Sequence, residues 1–211
     1  MNKIKKCICL CLMIALVNPI FSIKASEIDE SEVLMNTLFE GLEETDKVLE
    51  LSDGGFLYGK AKDVDAEDET IVYASYNSET DQNSITVKEA VEIIQNDECI
   101  QTRGAGLPSQ TRLLAAGAVY TSNTFSGSGW RFGGYYFKSG GNGDWLKWST
   151  FNDDGRVGDI GDATSVKNNA GSSRGMNLYV GYPQYLNTAN GGLVYFTYNP
   201  KSGTYYRVEN N

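Results

Sequence analysis

From residue 112 onward no helical spacing of apolar side chains lasts more than a turn, and several segments alternate apolar and polar positions with a period of two. Successive side chains on a strand point to opposite sides, so this alternation marks strands with one buried face. Residues 129–138 place Trp130, Phe132 and Tyr136 on one face, with Tyr135 on the other. Residues 145–151 divide into a Trp145/Phe151 face and a Leu146/Trp148 face. Met176, Leu178 and Val180 share a face opposite Tyr179. Two β-rich runs, 193–198 and 204–208, flank a turn with Pro200 and Gly203, the pattern of a β-hairpin. Residues 106–211 hold 18 of the 23 glycines and 18 of the 24 aromatic residues. Six or seven short strands with glycine-rich turns predict an all-β antiparallel sandwich or barrel with an aromatic core.

Charge separates this half from the one before it. Residues 26–105 carry 21 acidic against 5 basic residues, a balance of −16, whereas residues 106–211 carry 6 against 9, a balance of +3. Two units are therefore expected: a small acidic α+β N-terminal unit over 26–105 and the all-β domain over 106–211. In the first, Leu34, Met35, Leu38, Phe39, Leu42 and Leu49 predict an amphipathic helix over 29–52, capped by Ser31. Residues 56–58 and 70–76 read as strands around an acidic loop at 63–69. Thr86 and Glu89 have capping-box spacing ahead of a helical face of Val87, Ala90, Val91 and Ile94. Residues 101–112, with Gly104, Gly106 and Pro108, read as a linker that exposes Arg103 and Arg112 to a trypsin-like protease.

The first 25 residues have the form of a signal peptide. Lys3, Lys5 and Lys6 precede an apolar run from Cys7 to Val17, and Ala25 offers a small residue for cleavage. Eleven residues are too few to span the ~30 Å hydrocarbon core of a bilayer, so a secreted chain with no membrane span after cleavage is expected. Cys7, Cys9 and Cys11 leave with the leader, and Cys99, read as a lone buried thiol, is left without an internal disulfide partner.

The chain contains no histidine. Histidine-dependent serine and cysteine triads are excluded, as are zinc sites built on imidazole. The acidic balance and the absence of a basic stripe argue against nucleic acid as a partner. Asp153, Asp154, Asp159 and Asp162 lie on a glycine-rich loop with the oxygen ligands that calcium prefers. Paired Asp and Gly in turns explain the loop without an ion, so no metal and no cofactor are assigned.

The aromatic residues carry the functional expectation, as the core of the β-domain or as a surface group of two or three that binds a ligand. Trp130, Trp145 and Trp148 fall within 19 residues, and Tyr135, Tyr179, Tyr182 and Tyr185 add further rings, the last three around Pro183 in an expected loop. Flat amphipathic rings stack on sugars and anchor protein partners. These seven residues are the candidate ligand-binding set of a non-catalytic module for a cell-surface glycan or protein. A second expectation is a bacteriocin-like or toxin-like effector, masked by its own acidic N-terminal unit as a pro-segment, since opposite charge draws the units together. A third is a small carboxylate-dependent glycan hydrolase using acids such as Asp144 and Asp153.

Overall fold

The computed structural model describes residues 30–96, 108–122, 129–141, 145–152, 163–168, 173–175, 183–187, 192–198 and 204–211. In chain order the elements are α1 (Glu30–Leu38), β1 (Lys47–Glu50), β2 (Phe56–Tyr58), β3 (Lys60–Asp65), β4 (Val72–Asn77), β5 (Ile85–Thr86) and α2 (Val87–Asn96). They continue with β6 (Gln110–Leu114), β7 (Val119–Thr121), β8 (Gly129–Ser139), β9 (Trp145–Asn152) and β10 (Ala163–Asn168). The last four are β11 (Ser173–Gly175), β12 (Gln184–Asn187), β13 (Gly192–Tyr198) and β14 (Thr204–Glu209). The protein is mainly β, as its alternation requires. Cys99, the loop at 153–162, Asp144 and residues 176–182 fall outside the described residues.

The described strands form two seven-stranded sheets. The first runs β12-β9-β14-β7-β2-β1-β5 and the second β11-β10-β13-β8-β6-β3-β4. The described pairings are antiparallel except β6 with β8. Both sheets mix strands from the acidic and the basic halves: β2 pairs with β7, and β3 with β6. The expected boundary at 105/106 therefore divides charge but not the fold, because the apolar faces of the acidic strands are buried against strands from the other half.

Between the sheets lie Leu49, Leu57, Leu114, Tyr120, Phe137, Leu146, Trp148, Tyr206 and Val208. The Phe137 ring meets Trp148 edge-on at 5.3 Å between centroids, and Tyr120 lies 5.1 Å from Phe137, spacings typical of favourable aromatic pairs. Asn210 ties the sheets together at the chain end, donating to the Leu114 carbonyl at 2.6 Å and accepting from the Ser139 hydroxyl at 3.2 Å. A second core covers the outer face of the first sheet, where Leu34, Leu38, Val87, Val91 and Ile94 of the two helices pack on Val48, Phe56 and Tyr205.

The expected capping box forms: Glu89 N–H donates to Thr86 Oγ1 at 3.2 Å, and Thr86 N–H donates to Glu89 Oε2 at 2.7 Å. The expected helix over 29–52 is corrected. It ends at Leu38, Gly41 adopts φ +80°, and Lys47–Glu50 is strand. Val48 and Leu49 are both buried because β1 is covered on both faces, by the helices and by the second sheet. Such a strand shows no alternation and is easily taken for helix.

Two further expectations change. The runs at 193–198 and 204–208 do not pair: β13 joins β8 and β10, whereas β14 joins β7 and β9 in the other sheet. The chain therefore passes from one sheet to the other between the two runs, and turn-forming residues in the sequence do not distinguish that from a hairpin. Residues 110–112 of the expected linker belong to β6 (Gln110–Leu114), and Arg112 is fully buried rather than an exposed cleavage site. Arg103 lies outside the described residues.

Candidate ligand-binding face

Strand β9 alternates as its sequence predicts. Leu146 and Trp148 enter the core, while Trp145 points the other way and is 56% exposed. Edge strand β12 pairs with β9 in the register Tyr185↔Lys147 and Asn187↔Trp145. Tyr185, 58% exposed, is thus the direct cross-strand neighbour of Lys147 and the diagonal neighbour of Trp145. Diagonal neighbours lie about 7–8 Å apart, within reach of two large rings. The C-terminal end of α1 sits over β7, where Thr121 Oγ1 donates to the Leu38 carbonyl at 3.0 Å. Beyond it, the outer side of β9 and β12 presents Trp145 and Tyr185 to solvent.

A charged quartet borders the rings. Glu209 is the register partner of Lys147, and Arg207 that of Ser149. Lys147 Nζ lies 2.9 Å from Glu209 Oε1, and Arg207 Nε lies 3.5 Å from the same oxygen. Arg207 Nη2 donates to the Glu40 carbonyl at 2.7 Å. The Glu40 carboxylate stands farther off, with Oε2 at 3.8 Å from Arg207 Nη1 and 3.9 Å from Lys147 Nζ. Arg207 Nε and Nη1 are buried without a hydrogen-bond partner among the described residues. Burial pulls the Arg207 guanidinium below its usual pKa, and Glu209 and Glu40 offset part of that effect.

The candidate aromatic residues separate accordingly. Trp145 and Tyr185 share the bare face. Trp148 is fully buried, which removes it from any set that meets a ligand from solvent. Tyr185 lies in β12 rather than in a loop. Tyr135 is half-buried against the core, with the Arg112 guanidinium carbon 3.8 Å from its ring centroid. Trp130 lies in β8, but its side chain, with Tyr179 and Tyr182, falls outside the described residues. Lys147, Arg207, Glu209 and Glu40 were not singled out by sequence. Alternation with Trp145 marks the face of Lys147, whereas only the pairing of β9 with β14 brings Arg207 and Glu209 to it.

A second charged cluster lies inside the sandwich. Arg112 Nε and Nη2 donate to the two Asp63 oxygens at 2.8 Å each, and Nη1 donates to Asp53 Oδ2 at 3.0 Å. Tyr120 donates to Asp53 at 2.9 Å and Tyr76 to Asp63 at 3.1 Å. Burial opposes the Arg112 charge, but Asp63 and Asp53 outweigh it and hold the pKa well above the usual value. Burial, then the Asp63 charge, pushes the Tyr76 phenol up to about 12. This cluster joins the sheets rather than facing solvent. Among the described residues there is no group of three or more potential metal-ligating side chains, and no helix long and apolar enough to cross a membrane.

No protein-family model matches the chain, and no curated protein matches it in sequence. Among solved structures it is similar to the CUB1-EGF-CUB2 domain of human MASP-1/3, at 13% identity over 72% of this chain and 81% of that one. The TM-score is 0.27, too low for the likeness to support any argument about this protein.

Proposed function

We propose that the protein is a secreted, non-catalytic β-domain that binds a cell-surface glycan through the flat faces of Trp145 and Tyr185. The observation that supports this reading is that both rings are more than half exposed on one bare face, on adjacent strands. Large apolar groups gathered on a soluble surface mark a recognition site more often than single exposed ones do. Two rings set side by side on rigid strands suit the apolar face of a saccharide. Polar neighbours supply hydrogen-bonding groups at the edge of the rings.

The acidic half stays with the β-domain in this proposal, because β1 to β5 complete both sheets and Asp53 and Asp63 neutralise Arg112. Residues 1–25 act as the export signal. Mass spectrometry of the culture supernatant then finds a chain starting near Ser26; an exported form starting near residues 104–113 would instead favour the masked-effector reading.

Binding is tested by pull-down on purified cell-wall polysaccharide and on protease-treated cells. Retention of the wild type, with loss in Trp145→Ala and Tyr185→Ala at unchanged circular dichroism, supports the glycan ligand. Retention that disappears when cells are treated with protease would identify a protein ligand. Retention unaffected by either substitution would reject the face.

A further inference from the structure

We infer that the bare face is specific for a carboxylate-bearing saccharide, and that Glu40 occupies the place of the ligand's carboxylate in the free protein. This rests on the glycan reading of Trp145 and Tyr185 and names the class of sugar they take.

The charge pattern of the quartet is uneven. Glu209 is buried and lies against both cations through one oxygen, at 2.9 Å from Lys147 and 3.5 Å from Arg207. The Glu40 carboxylate also faces both cations, but at 3.8 and 3.9 Å, beyond hydrogen-bond length. Its side chain is 65% exposed, so leaving the cluster requires no burial or unpacking. Arg207 is only 2% exposed, yet its Nη1 has no hydrogen-bond partner among the described residues. A buried guanidinium donor is thus left facing a solvent-side carboxylate that does not engage it. The 2.7 Å bond from Nη2 to the Glu40 carbonyl is made by backbone, so the guanidinium keeps its orientation when the Glu40 side chain swings away.

The rings place a sugar beside this spot. Lys147 is two residues from Trp145 on the same face of β9 and directly across from Tyr185. In a uronic acid stacked on the rings, the carboxylate projects from the edge of the pyranose. There it can take over the Glu40 position and close the distance to Lys147 Nζ and Arg207 Nη1. Exchange of one carboxylate for another keeps the local charge constant, and charge-assisted hydrogen bonds replace contacts longer than 3.5 Å. The hydroxymethyl group of a neutral hexose cannot replace the Glu40 charge, so a neutral sugar must leave Glu40 in place and gains only stacking.

Calorimetry on the full secreted chain tests this with galacturonate and glucuronate trisaccharides and their neutral galactose and glucose counterparts. We expect the acidic sugars to bind at least tenfold more tightly. Glu40→Gln should raise acidic-sugar affinity several-fold without changing neutral-sugar affinity. Lys147→Met should abolish the preference for acid, and Trp145→Ala should weaken both classes. Equal affinity for acidic and neutral sugars, or no response of the acidic sugars to Glu40→Gln, would overturn the inference while leaving a Trp145-dependent glycan site intact. Absence of binding to any of the four sugars would overturn both.

Discussion

Arg112 and Asp63 face each other across β6 and β3, and two guanidinium nitrogens reach the two carboxylate oxygens at 2.8 Å each. The pair is buried, so its attraction is weakly screened, but each charge has lost its water. Arg112→Met leaves Asp63 without a counter-charge in the interior. The expected loss is about 3–5 kcal/mol, as for other broken buried pairs, read from urea unfolding midpoints. Adding Asp63→Leu to Arg112→Met should recover part of that loss by removing the stranded carboxylate. An unchanged midpoint in Arg112→Met would show that the cluster does not support the fold.

The same cluster sets an alkaline limit. The folded-state pKa of Tyr76 is about 12 against 10.0 for the free side chain, so between those values the folded state keeps a proton that the unfolded state releases. Its contribution is complete below pH 10 and is lost as pH rises towards 12. Tyr76→Phe should flatten the fall in stability across that window. Denaturation midpoints measured from pH 9 to 12 decide it, and an unaltered slope would refute the assignment.

The start of α2 depends on a reciprocal pair. Thr86→Ala removes the acceptor for Glu89 N–H and should cost about 0.5–2 kcal/mol, the usual range for an N-cap. The pKa of Glu89 lies below its usual value through hydrogen bonds from the Thr86 backbone and hydroxyl. Its stabilisation is therefore present above the usual carboxyl pKa and is lost as pH falls through the lower folded value. Thr86→Ala should make stability less sensitive to acid, measured as thermal midpoints between pH 3 and 6. Equal acid sensitivity in both proteins would count against the box.

Trp145 and Trp148 separate an exposed ring from a packed one within four residues. Trp148→Ala empties a fully buried site and should cost about 3–5 kcal/mol, whereas Trp145→Ala on the exposed face should stay within about 0.5 kcal/mol of the wild type. Chemical denaturation of the two variants compares them directly. A large loss in Trp145→Ala would assign that ring to the fold instead of the surface.

A chain starting at Pro108 should not fold alone. It lacks β1 to β5 and both carboxylates that neutralise Arg112. We expect no cooperative thermal transition from residues 108–211, and recovery of one when residues 26–96 are supplied as a separate chain. A sharp transition in the isolated fragment would restore the idea of a detachable acidic unit.

The amino-acid order by itself determined the strand-rich class, the opposed faces of Trp145 and Trp148, and the capping box at Thr86. Each depends on residues a few positions apart, and the backbone converts such spacing directly into a face or a turn. The order also carried the charge contrast, but not its meaning. Arg112 sits among small residues and a proline, so its local signal is that of a linker, although it is buried and pairs with Asp53 and Asp63 from far earlier in the chain. Tertiary structure alone decided that β13 and β14 belong to different sheets, that acidic and basic halves share both sheets, and that Arg207, Lys147 and Glu40 meet beside Tyr185. Strand pairing is a contest among distant segments for the same hydrogen-bonding edges and the same core. Its outcome depends on the whole set of apolar faces buried together, which no local window contains.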